Sequence, residues 1–258
     1  MSSAALLLAT WSIVAVDPDT REVGVALASC IYSDEFRIEH VAELVPGTGA
    51  LVAQALANQE ARSAIADAIT RGESPAAALS AATAPGADER LGIDLSRLRQ
   101  YGAVTFEAGP VSYTGVWNGD WAGARAGSGV SVQGNILRGP AVVEDALATF
   151  EKDAGPCLAE RLVAALEAGA RAGGDRRCVP ELGSLTAFVT VAQPGDARGE
   201  PSLRLLRSRP DEPTTTAWSE LRRRFRPEPG TAEGSPVSLL RRAWDEERAA
   251  GRGPASCR

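Results

Sequence analysis

A chain of 258 residues, 44% of them apolar, is long enough to bury a real core, and it reads as one compact domain with a peripheral tail. The net charge of −6 argues against bulk nucleic-acid binding, and no apolar run approaches the ~20 residues of a membrane span. Four cysteines without CxxC or Cys/His spacing, and a single histidine, argue against a zinc site. The expected partners therefore include no metal, no nucleic acid and no membrane.

Residues 1–9 read as a leader or the remnant of a signal segment. Residues 4–9 are too short for a secretory core, and no basic segment precedes them. "TWSIVAV" (10–16) and "EVGVALASC" (22–30) are β-rich runs joined by the turn chemistry of "DPDTR", which makes them a hairpin. Nearly every position in its arms is apolar or small. That pattern suits strands covered on both faces, so the hairpin belongs in the centre of a sheet. "GALVAQA" (49–55) is a third strand. "NQEARSAIADAITRG" predicts a helix over 58–72, with Asn58 as N-cap and Gly72 as its stop. "SPAAALSAAT" predicts another over 74–83, with Pro75 in its first turn.

Residues 84–100 read as irregular. Short strands follow at 101–106, 111–116 and 129–133, then helices at about 140–152 and 157–171, then strands at 184–192 and 203–207. Strands and helices in segregated runs describe an α+β protein with helices packed outside its sheets, not a doubly wound parallel fold. From 209 to 258 a Pro- and Arg-rich tail carries two short helices, 212–225 and 236–249. Their "LRRRF" and "LLRR" read as solvated faces.

Few side chains are left to act as a catalytic base. His40, in "FRIEHVAEL", reads as structural or surface, and Lys152 lies at a polar helix end. An α-amine escapes that count. Its reference pKa of about 8 suits a general base at neutral pH, and a threonine at a chain start carries nucleophile and base in one residue. Cleavage after Ala9 would create that arrangement at Thr10. Otherwise Thr10 simply opens a strand, where a β-branched residue is at home. Counting both arms of the hairpin back from its turn sets Thr10 beside Ser29 and Cys30. Asp17, roughly 23 Å along the strand from Thr10, is a turn former.

Five stretches taken in order, "TWSIVAVDPDTREVGVALAS", "GALVAQALAN", "RQYGAV", "SVQGNILRGPAVVEDALATFE" and "GGDRRC", resemble domain-of-unknown-function family 1028. The resemblance runs over about residues 10–207, and that family is assigned to the N-terminal-nucleophile (Ntn) hydrolase superfamily. It implies a four-layer αββα sandwich of the Ntn-hydrolase type and a threonine at the start of the first strand, Thr10 here; it carries over no substrate. With the elimination above, the leading expectation is an autoprocessed amide-bond hydrolase with Thr10 as its catalytic residue, a small-molecule or peptide substrate, no cofactor and a homo-oligomeric state. Cys30 stands where many members have a lysine, and Ala124 where many have a histidine. The "ASC" form and Cys178 resemble the members that carry signal peptides, which favours an exported location. In that setting a Cys30–Cys178 disulfide beside the site is expected, with a Cys157–Cys257 pair forming instead as the alternative.

The remaining motif residues each have two readings. Gln54 and Asn58 could bind substrate or supply an oxyanion donor, or Asn58 could only cap its helix. Asn135, after a strand and a glycine, could approach a ligand or serve a turn. Asp175 could pair with an α-ammonium or with Arg176. Trp11, Trp117 and Trp121 read as core or rim packing. Two other functions stay open: a catalytically silent small-molecule-binding protein on the same fold, and a hydrolase with Cys30 as nucleophile.

Overall fold

The computed structural model describes residues 7–8, 10–31, 37–152, 155–179, 182–209 and 234–258. The chain is α+β, with antiparallel strand pairing and five α-helices among the described residues. Strand β1 (Leu7–Leu8) precedes the hairpin of β2 (Thr10–Asp17) and β3 (Glu22–Ser29). Asp17 does form the turn, its Oδ1 accepting from the Asp19 and Thr20 amides. A second hairpin joins β4 (Ala42–Val45) to β5 (Gly49–Leu56). Helix α1 (Gln59–Thr70) starts at Asn58, whose side chain accepts from the Ala61 amide, and α2 (Pro75–Ala82) is capped by Ser74.

The stretch read as irregular contains a small hairpin, β6 (Glu89–Arg90) and β7 (Ile93–Asp94). It is followed by β8 (Arg99–Thr105), β9 (Gly109–Thr114), β10 (Trp121–Gly127) and β11 (Val130–Leu137). The sequence gives no sign of β10. "WAGARAG" is mostly glycine and alanine, poor strand formers, and it is extended because it pairs along β11 at a sheet edge. Helices α3 (Ala141–Glu151) and α4 (Leu158–Arg171), strands β12 (Thr186–Ala192) and β13 (Leu203–Ser208), and helix α5 (Pro236–Ala249) complete the chain. The helix expected over 212–225 lies outside the described residues.

One sheet is built on β5, with β1 and β4 along one side and β8, then β9, along the other. The second sheet has the order β10-β11-β2-β3-β12-β13, so the hairpin 10–30 is central, as its apolar arms indicate. Alternation along the strands divides the interior. Trp11, Ile13 and Ala15 of β2 pack with α3, α4 and α5. Val14 and Val16 point the other way and meet Ala50, Val52 and Val104 of the first sheet. On the far side of that sheet, Leu51, Ala53, Tyr101 and Ala103 pack against α1 and α2.

The C-terminal segment is not peripheral. Val237, Leu240, Ala243 and Trp244 of α5 are buried in the same cluster as α4. Glu160 of α4 accepts from Trp244 Nε1 and from Arg241, both at 2.7 Å. The arginine of "LLRR" nearest the core is thus an ion-pair partner rather than a solvated charge. Cys157 and Cys257 form a disulfide that ties the chain end to the start of α4, with Cα atoms 5.3 Å apart. Cys30 and Cys178 form the other, at 5.5 Å, so both pairings considered from the sequence coexist.

The C-terminal turn also reaches the hairpin. Ser256 Oγ donates to Glu22 Oε1 at 2.6 Å, and Glu22 is only 2% exposed. Burial raises the Glu22 carboxyl above the ordinary glutamate value. The folded chain therefore holds this proton to higher pH than the unfolded chain does, and stability falls as pH rises from the ordinary value through the raised one. Glu22→Gln should remove that fall, which urea midpoints measured across pH 4 to 8 (a range of about that width) will show. An unchanged slope in the variant would refute the assignment.

Candidate functional site

The interface between the sheets is apolar at one end and polar at the other. The polar end lies where β2 begins. In register, Thr10 sits between Ser29 of β3 and Asn135 of β11. Counting back from the hairpin turn leads to Ser29 and Cys30, and the register selects Ser29. Thr10, Ser12, Ser29, Gln54, Gln100, Gln133 and Asn135 are all essentially inaccessible to solvent.

Most of these groups form one hydrogen-bonded network across the two sheets. Ser12 Oγ donates to Gln54 Oε1 at 2.7 Å and accepts from Gln133 Nε2 at 2.6 Å. Gln54 Nε2 donates to Gln100 Oε1 at 2.8 Å, and Asn135 Nδ2 donates to the same oxygen at 2.9 Å. Gln100 Nε2 donates to the Gly134 carbonyl and to Thr114 Oγ1. A Cβ built on Gly102 would fall 2.1 Å from Gln133 Oε1, so a glycine here lets the Gln133 amide lie flat against β8. Two polar atoms at this end have no partner: Thr10 Oγ1 and Asn135 Oδ1 are buried and make no hydrogen bond.

The strand ends beside Thr10 are strained. Ala55, paired with Leu8, has φ 65°, and Ile136, next to Asn135, has φ 51°. Left-handed backbone is unfavourable for a β-branched residue, and such outliers concentrate where a site dictates geometry. Arg99 holds the end of β5, donating to the carbonyls of Leu56 and Ala57 while forming a buried two-point ion pair with Asp88.

Asp175 closes the other side. It is fully buried, with Oδ2 accepting from the Cys30 amide at 2.8 Å and from Arg177 Nη2 at 2.7 Å. Its Oδ1 accepts from the Arg177 amide and Nε. Burial pushes the Asp175 carboxyl upward, and the Arg177 guanidinium and the two amides oppose that push. Arg176, the neighbour considered from the sequence, pairs instead with Asp120.

The candidate residues thus separate. Thr10, Ser29, Gln54 and Asn135 share the polar end. Cys30 and Asp175 brace it from behind, and Asn58 caps α1 outside the network. Cys30 cannot be a nucleophile in this structure because its sulfur is bonded to Cys178. Ser12, Gln100 and Gln133 were not foreseen. Their signal is polar residues at every second position of otherwise buried strands, as in Ser131, Gln133 and Asn135. Trp11 is core, whereas Trp117 is 48% exposed.

Thr10 is itself closed off. Cavities of about 300 Å³ beside Phe188 and about 430 Å³ beside Ile65 are lined by other residues. Among the described residues no group of acidic, histidine or cysteine side chains could hold a metal ion, and no helix is long and apolar enough to cross a membrane.

Asp175→Ala would leave the buried Cys30 amide and the Arg177 guanidinium short of an acceptor. The expected loss is about 3 kcal/mol, read from the urea unfolding midpoint. A loss under about 0.5 kcal/mol, the range of ordinary surface changes, would mean that this carboxylate does not hold the corner together.

A scan of protein families matches residues 10–229 to a family described as "Family of unknown function (DUF1028)". The match extends past residue 207, where the resemblance read from the sequence stops. No curated protein matches the chain. Among solved structures, the crystal structure of protein SPO2555 from Silicibacter pomeroyi, described with the same family, is similar with a TM-score of 0.66 and 21% identity. The similarity covers 93% of this chain and 86% of that one, and at this identity it speaks for the fold.

Proposed function

This chain belongs to the DUF1028 family, and from that premise we propose that it is an amide-bond hydrolase of the Ntn type with Thr10 as its nucleophile. The four-layer αββα sandwich of that superfamily is the corresponding proposal for the fold. The placement of helix-packed clusters on the outer faces of two facing sheets supports it. The observation that carries the functional reading is Thr10 itself. It opens a central strand at the polar end of the interface, and its hydroxyl is buried without a partner.

In the mechanism, removal of residues 1–9 frees the Thr10 α-amine. That amine accepts the Oγ proton as Oγ bonds to the substrate carbonyl carbon, and backbone N–H groups stabilise the oxyanion. The C–N bond then breaks and the leaving amine takes the proton. Water next adds to the ester carbon, its proton passing through the α-amine back to Oγ as the acyl group departs as a carboxylic acid. An acylated nitrogen cannot act as this base, so the peptide bond before Thr10 must be cut. The same cut removes β1 from its pairing with Ala55 and Leu56 and opens a way to a residue that is otherwise buried.

The second reading, a binding protein without turnover, is favoured by that burial and by the absence of Thr10 from both cavities. Intact mass and covalent labelling separate the two. The hydrolase reading expects a mature chain that begins at Thr10 and is acylated by a small β-lactone. Thr10→Ala should abolish labelling without loss of the folded state, and Thr10→Ser should retain part of it. Labelling that persists in Thr10→Ala, or a mature chain that keeps residues 1–9 and still turns over substrate, would sink this mechanism.

A further inference from the structure

The amide network has a direction that its ends impose. Gln133 Nε2 donates to the Ser12 carbonyl as well as to Ser12 Oγ, and a carbonyl can only accept. The Gln133 amide is therefore fixed. At the far end, Gln100 Nε2 donates to the Gly134 carbonyl, again an obligate acceptor, and this fixes Gln100 with its oxygen toward Gln54 and Asn135. Gln54 must then present Nε2 to Gln100 Oε1 and its own Oε1 to Ser12, whose hydroxyl donates to it while accepting from Gln133. Asn135 must answer with Nδ2, and its Oδ1 is left as a buried acceptor with no donor.

That lone acceptor belongs to the cross-strand partner of Thr10. Directly opposed residues hold their Cβ atoms about 5 Å apart on one face of a sheet. In the uncut chain the Thr10 nitrogen is an amide with a single hydrogen. Cleavage turns it into an amine or ammonium with two or three, placed among buried groups that otherwise lack partners.

Resting on the hydrolase reading, we infer that Asn135 Oδ1 accepts a hydrogen bond from the Thr10 α-amine and turns its lone pair toward Thr10 Oγ1. Asn135 is thereby a positioning residue for the base. One N–H of its Nδ2 is committed to Gln100, and it is the free Oδ1 that faces Thr10's strand without a donor.

The test follows β-lactone acylation of the mature chain by intact mass from about pH 5.5 to 9, the range in which an α-amine titrates. Wild-type labelling should rise with the α-amine's deprotonation. Without the Asn135 acceptor the ammonium is less favoured. The midpoint in Asn135→Ala should therefore move down by about one pH unit, and the plateau rate should fall roughly tenfold. Asn135→Ser also removes the amide oxygen while keeping a small polar side chain at this buried position. It should show the same downward shift, and it keeps the test open where Asn135→Ala does not fold. A wild-type chain that labels at Thr10 while both variants keep its midpoint overturns the role of Asn135 and leaves the hydrolase intact. A wild-type chain that starts at Thr10 and labels at no pH overturns the hydrolase, and Asn135's role with it.

Discussion

Buried amides have no water to turn to, so each amide between the two sheets must find its donors and acceptors in the protein. That constraint organises the polar end of the molecule. Ser12, Gln54, Gln100, Gln133 and Asn135 come from four strands in two sheets, and each hydrogen bond among them forms only if the others keep their places. The network therefore fixes the register of β2, β5, β8 and β11 relative to one another, which apolar packing alone does weakly. Val14, Val16, Val52 and Val104 at the other end supply burial without direction. Gly102 is the steric side of the same constraint: any side chain there would occupy the space of the Gln133 amide.

Around this centre the structure braces the strand ends with charge. The Arg99–Asp88 pair anchors the end of β5, and the Asp175–Arg177 pair anchors the end of β3 through the Cys30 amide. Both acids are buried and both pairs are tied to backbone groups, unlike the exposed Arg71–Glu73 pair. The left-handed residues Ala55 and Ile136 lie at the ends of β5 and β11, in the same region. Strain held by surrounding order on both sides is what a preorganised site requires.

The parts of this arrangement legible in the sequence were those set by local chemistry. Turn residues fixed the 10–30 hairpin, and its apolar arms placed it centrally. Counting along the hairpin arms then puts Thr10 beside Ser29 and Cys30 without any tertiary information. Asn58 was legible as a cap for the same local reason. The amide network was not. A glutamine in a strand looks the same whether its face meets solvent or another sheet, and Gln100 and Gln133 are polar-network residues only because β8 and β11 are stacked. Asp175 shows the limit at finer scale: the choice between Arg176 and Arg177 depends on which way a loop turns beyond a disulfide. Helix α5 was read as peripheral because its mean composition is polar, although one face carries Val237, Leu240 and Trp244 into the core.

The two disulfides have a consequence for the chain as a connected object. One closes the span from Cys30 to Cys178 and the other the span from Cys157 to Cys257, and the two spans overlap. A single backbone cut anywhere from residue 30 to residue 257 leaves both pieces covalently joined. Only a cut ahead of Cys30 or beyond Cys257 releases a fragment. In covalent terms the chain ahead of Cys30 is a free end attached to a closed figure. A peptide cut from that end, unlike one nicked anywhere inside, can leave for good.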